Sequence, residues 1–214
     1  MIAALAIPRF AFTVVARRLG LRDAATAAAL APEPGGQPRV GEQSAAAEAA
    51  GVRAGMRLSE ALALCPQLAL LPPDPIAVEE ANELLYARLE DLGLPLEPAG
   101  PGRALLATGP VEQLYGGRAA VLMRLQDVAP GSRIGAAPGR FPALAATRRA
   151  RSGRPVSVTA PAVREFLAPL AIEALVRTAA SIRPWSRRCA GSASTGWAGS
   201  RRSAGCRCAT GSAQ

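Results

Sequence analysis

The stretch Gly51–Asp74, GVRAGMRLSEALALCPQLALLPPD, decides how this chain folds. Gly51 stops a helix-prone run, Ala45 to Ala50. Leu58 to Cys65 predicts a short helix, ended by Pro66, which cannot donate the next helical hydrogen bond. Leu68 to Leu71 predicts a strand. Asp74 suits a helix N-cap and Pro75 the first helical position. Beyond them Ala81, Leu84, Leu85, Leu89 and Leu92 recur at three and four, which predicts one apolar helix face. Glu79, Glu80, Glu83, Arg88 and Glu90 mark the solvated face.

Outward from this stretch, strands and helices alternate. Ile2 to Ile7 predicts a first strand, and Phe10, Val14 and Val15 are expected to face the core from a helical turn. Residues 24–31, the turn Pro34-Gly35-Gly36 and Val40 suggest a hairpin. After the turn Gly100-Pro101-Gly102 comes a strand, Ala104 to Ala107, then a helix over about 118–128 and a strand, Ile134 to Ala137. Pro138 is expected to open a helix with Phe141, Leu144 and Ala145 inward. A short strand over Val156 to Val158 and a helix over 161–168 follow. The class is α/β or α+β, with a mixed sheet.

The chain of 214 residues contains 25 basic residues, all Arg, and no His. Without His there is no Ser-His-Asp or Cys-His catalysis of the usual kind. No Gly-rich phosphate loop appears. Cys206-x-Cys208 with Cys189 lacks zinc spacing and a fourth ligand, and Cys65 reads as core. No run of apolar residues suits a bilayer span, and MIAALAIPRF reads as a strand, not a leader; a reducing cytoplasm is the expectation. Between residues 128 and 164 the chain holds seven Arg and no acid. Arg133, Arg140, Arg148, Arg149, Arg151 and Arg154 are therefore the expected phosphate contacts, set against the plainer reading that they only solubilise a helix and loop. Arg53 and Arg57 form a second, weaker basic group. Interleaved aromatics for base stacking are absent. From about Arg177 periodicity vanishes and Ser, Gly, Ala and Arg dominate. A frameshift, or a basic disordered tail, are the two readings of residues 171–214.

Three blocks together resemble Y-family DNA polymerases, the translesion enzymes. They are Gly51-Val52-Arg53-Ala54-Gly55 with Cys65-Pro66 and Leu71-Pro72; Leu105 to Gly109 with Leu114-Tyr115-Gly116-Gly117; and Ile134-Gly135-Ala136-Ala137-Pro138. Their order and spacing carry the match over residues 1–170; none is specific alone. The resemblance implies a palm and, over about 20–73, a small fingers region.

The resemblance also implies carboxylates that hold two Mg²⁺ ions. The first position falls at Ile7-Pro8-Arg9 and the others near Pro101-Gly102, where no acid stands; Glu97 and Glu112 flank the strand at the wrong spacing. The family's triphosphate-binding Tyr and Arg fall at about Ala45 and Glu48. This pattern is similar to ImuB, the non-catalytic mutasome subunit, and implies a DNA-binding adaptor in SOS mutagenesis with no cofactor. Its implied partners are an error-prone C-family polymerase, the sliding clamp and a RecA-like protein, although no clamp-binding segment is recognisable. Two alternatives stand beside it: an active error-prone polymerase using Mg²⁺, and a truncated fragment without function.

Overall fold

A computed structural model describes residues 1–21 and 26–170, all within one compact unit, Met1–Ile182. The expectations for the tail and for Cys189, Cys206 and Cys208 lie outside the described residues.

The elements in chain order are β1 (Ile2–Ala6), α1 (Phe10–Arg18), β2 (Ala28–Leu30), α2 (Ala45–Ala49), α3 (Leu58–Leu64), β3 (Ala69–Leu71), α4 (Pro75–Glu90), β4 (Leu96–Pro98), β5 (Arg103–Ala107), α5 (Arg118–Val128), β6 (Arg133–Ala137), α6 (Arg140–Arg149), β7 (Val156–Ser157) and α7 (Val163–Leu167). The main sheet runs β4-β5-β1-β6-β7. Its pairs are antiparallel except β6–β7, which is parallel. It is the mixed sheet that the alternation predicts.

Side chains alternate across this sheet with period two. Ala3, Leu5, Ala104, Leu106, Ile134 and Ala136 face one way, into a core shared with Leu85, Leu89, Leu122 and Leu125 of α4 and α5. Ala4, Leu105 and Ala137 face the other way, against Ala143 and Ala146 of α6. The second layer is built of small residues, and helix and sheet approach closely. A Cβ on Gly135 would lie 2.6 Å from the Ala143 carbonyl oxygen and collide with the Thr147 amide. Thr147 Oγ1 donates to the Ala4 carbonyl at 3.0 Å, tying α6 to β1.

A second, two-stranded sheet pairs β2 with β3 in parallel. Its core joins Ala29, Val40, Ala47, Val52, Ala61, Cys65 and Leu68. After residue 31 the chain turns back antiparallel to β2, as a hairpin requires: Ala29 bridges Gln43, the Leu30 amide donates to the Glu42 carbonyl at 2.9 Å and the Ser44 amide to the Ala28 carbonyl at 2.8 Å. β3 takes the opposite edge of β2. Ser44 caps α2, its Oγ accepting from the Ala47 amide at 3.1 Å.

Asp74 caps α4 as expected, accepting from Ala77 N at 3.0 Å. The buried face of α4 departs from the apolar pattern: Leu84 is exposed and Asn82 is buried. The Asn82 side chain has a partner that periodicity cannot reveal, as described below. In α6, Ala143, Ala145, Ala146 and Thr147 are buried, while Phe141 and Leu144 are only half-buried. Close packing over Gly135 selects small residues for the contact.

Candidate functional site

The end of β1 and the start of β5 lie side by side. Ala6 pairs with Arg103, and the Ile7 amide donates to the Gly102 carbonyl at 2.8 Å. The turn leading into β5 is pinned by α4. Asn82 Oδ1 accepts from the Gly102 amide at 2.9 Å. Tyr86 Oη donates to the Gly100 and Arg103 carbonyls, 3.0 Å from each. A buried amide left without an acceptor is destabilising, so a polar residue stands where the helical pattern calls for an apolar one.

Gly102 has φ +65°, and a Cβ there would lie 2.5 Å from Cβ and Cγ of Phe10. Phe10 is buried in the main core. The ring therefore fills the space that an acid side chain at position 102 would need.

Arg9 occupies the N-cap of α1 with left-handed backbone angles, φ 53° and ψ 40°. That conformation costs a non-glycine residue roughly 1–2 kcal/mol. It directs the guanidinium to α2, where Arg9 Nη2 donates to Glu48 Oε2. Glu42 Oε2 accepts from the Phe12 amide at 3.0 Å, meeting one of the donors that the first turn of a helix leaves free. Two carboxylates from the segment between β2 and α3 thus meet the first turn of α1. The Arg9 hydrogen bond, with the charges of Arg9, Arg53 and Arg133, holds the Glu48 carboxyl below its usual range. Arg53 Nη1 also donates to the Glu48 backbone carbonyl, at 2.6 Å. Ala45 and Arg9 line one cleft of about 630 Å³, together with Phe12, Ala16, Ala28 and Ser44. Ala45 brings no donor to it.

The expected basic block divides. Arg140 pairs with Glu97, and the Arg149 guanidinium lies 5.2 Å from the centre of the Phe166 ring. Arg133 opens β6 opposite Ala6. In the parallel β6–β7 register Gly135 stands opposite Val156, so Arg133 and Arg154 each precede a paired residue by two positions, and Arg151 is bridged to Arg154. Exposed Arg148 follows Thr147 at the end of α6. Arg103 belongs with this group and is missed by the sequence reading. It opens β5 opposite Ala6, as Arg133 does from the other side. The available signal is its place just after the Pro101-Gly102 turn, out of phase with inward-facing Ala104. Arg57 bridges to Arg39 instead, away from this edge.

A pair of divalent cations requires anionic oxygen ligands. The positions at this edge are Ile7, Arg9, Pro101, Gly102 and Arg103, which offer none. Among the described residues no three of His, Cys, Asp and Glu are grouped to hold a metal. Glu97 is engaged by Arg140. Glu112 lies past the far end of β5, where it accepts from Thr108 Oγ1 at 2.8 Å and pairs with Arg118. These residues do not fit the two-cation site that the resemblance implies. Among the described residues, no helix is long and apolar enough to cross a membrane.

Residues 7–148 match the impB/mucB/samB family. Over 64 residues the chain is 47% identical to "DNA polymerase IV 2" of Mycobacterium tuberculosis and of Mycobacterium bovis. That match covers 30% of this chain and 18% of those relatives. The fold is similar to that of DinB from Sulfolobus solfataricus, with a TM-score of 0.64 at 18% identity. It is also similar to Dbh DNA polymerase in a post-insertion binary complex, with a TM-score of 0.69 at 17% identity. Each match covers 81% of this chain and 53% of the solved one. At these identities the likeness is one of fold. The chain spans about half the length of these structures and less than a fifth of the curated relatives.

Proposed function

The chain belongs to the impB/mucB/samB family of Y-family DNA polymerases, and from that premise we propose that it is a DNA-binding adaptor of DNA damage tolerance without nucleotidyl transfer. One observation carries the reading: Arg9 stands where the family places a metal-binding group and pairs with Glu48, which stands where the family places an arginine. Arg9 brings a cation to a metal-binding position and Glu48 an anion to the position of an arginine, and each neutralises the other. A cation brought to Arg9 meets a like charge, as does a triphosphate brought to Glu48. Ala45 supplies no hydroxyl, and Phe10 occupies the space beside Gly102. What remains is a scaffold with a basic edge suited to DNA backbone.

In this role the protein works in the cytoplasm, in SOS mutagenesis of the ImuB type. It helps to place an error-prone C-family polymerase, with the sliding clamp and a RecA-like protein as further partners. The competing reading, an active polymerase, draws on the 47% identity to DNA polymerase IV 2. Primer extension by the full chain with Mg²⁺ or Mn²⁺ separates the two. The adaptor yields no extension above a no-protein control. Incorporation that disappears on changing a carboxylate of this chain overturns the adaptor reading.

A further inference from the structure

Arg103 and Arg133 flank Ala6 from the two neighbouring strands. The registers are regular, so all three residues share the α6 face of the sheet. Ala6 rises little between the two arginines, whose Cα atoms are about 10 Å apart across two strand spacings. Both arginines are exposed. Among the described residues neither enters an ion pair. Arg154 lies two residues before Val156, which pairs with Gly135 on β6. Arg9 and Arg53 approach the same edge around Glu48, whose carboxylate also feels Arg133.

We propose that Arg103 and Arg133, with Arg154 beside them, form a phosphate-binding shelf that holds the DNA backbone directly, with guanidinium charge in place of divalent cations. The proposal rests on the DNA-binding reading above and assigns it to one edge of the sheet. Guanidinium groups suit it because they stay charged at any working pH and present a planar fork of donors to phosphate oxygens. Glu48 is the shelf's internal anion. It neutralises Arg9 and lowers the potential at Arg133, so it competes with an arriving phosphate. Binding at the shelf needs no Mg²⁺. Mg²⁺ weakens it, as any added counterion does.

Anisotropy of a fluorescein-labelled primer–template duplex, titrated with the full chain between about 50 and 200 mM salt, tests this. The wild type is expected to bind in EDTA and to bind less tightly with Mg²⁺. The double variant Arg103→Ala/Arg133→Ala is expected to lose roughly eightfold in affinity per contact near 0.1 M salt. Its slope of log K against log salt should be shallower by about 0.9 per contact. Glu48→Gln is expected to bind more tightly than wild type, which a merely structural role for the pair does not produce. If the double variant melts early, Arg133→Gln alone is read instead, with half the slope change. A wild type that binds no DNA overturns both the shelf and the DNA-binding reading. A wild type that binds with an unchanged slope in the double variant, or only with Mg²⁺, overturns the shelf alone.

Discussion

The Arg9 guanidinium, at the first cap of α1, donates to the carboxylate of Glu48 on α2. The two residues are 39 positions apart in the chain. This pair joins the main sheet's first helix to the segment that carries the small parallel sheet. It stands alongside the Glu42 carboxylate on the Phe12 amide.

Acid should loosen this junction. Folding lowers the Glu48 pKa, chiefly through the Arg9 hydrogen bond. The pair therefore contributes stability above the usual glutamate value of 4.5 and loses it as pH falls through the lower folded value. The side chains are 37% and 40% exposed, so the contribution is at most about 1 kcal/mol. Thermal unfolding of wild type and Glu48→Gln is the check. The wild-type advantage should be full near neutrality and shrink below about pH 4.5. An advantage that is the same from about pH 6 to pH 3 would exclude a contribution from this ionisation.

Restoring an acid beside Ile7 should damage the fold. Gly102→Asp places a Cβ against Phe10 at a positive φ. Overpacking costs about 1–3 kcal/mol and the left-handed backbone a further 1–2 kcal/mol. Urea denaturation should show a midpoint well below that of wild type. An unchanged midpoint would mean that Phe10 yields easily and does not bar the position.

Asn82→Leu completes the apolar stripe on α4, and it should nonetheless destabilise. The Gly102 amide loses its acceptor, at a cost of about 1–3 kcal/mol. The turn carrying Arg103 should also loosen, seen as faster amide exchange at Gly102 and Arg103. Stability equal to or above wild type would show that the Asn82 contact is dispensable.

Gly135→Ala should separate α6 from β6. The added methyl meets Ala143 and Thr147 of the helix, so a loss of about 3 kcal/mol is expected. Thr147→Val, which removes the hydroxyl shared between the Ala4 and Ala143 carbonyls, should cost about 1 kcal/mol. Chemical denaturation ranks the two; a milder effect for Gly135→Ala would contradict the close approach.

Much of the architecture is legible in the sequence because its signals are local. Pro75 and Asp74 fix the start of α4 from adjacent positions. Gly135 reads in the sequence only as part of a strand, and the structure alone shows that α6 packs closely over it. Leu84 and Asn82 expose the limit of periodicity. One is apolar and faces solvent; the other is polar and buried, because its acceptor meets an amide 20 residues away. Phe141 and Leu144 give way to Ala143 and Ala146 for a similar reason: the distance between helix and sheet decides which side chains fit.

The chain's residue types alone determine a mixed α/β scaffold and a sheet edge without anionic ligands, since both follow from the identity and short-range spacing of side chains. The three-dimensional arrangement decides that Arg9 meets Glu48, that Arg103 joins Arg133 while Arg140 does not, and that Phe10 fills the space beside Gly102. Strand register and helix crossing bring together residues that are distant along the backbone, and no local pattern encodes those encounters.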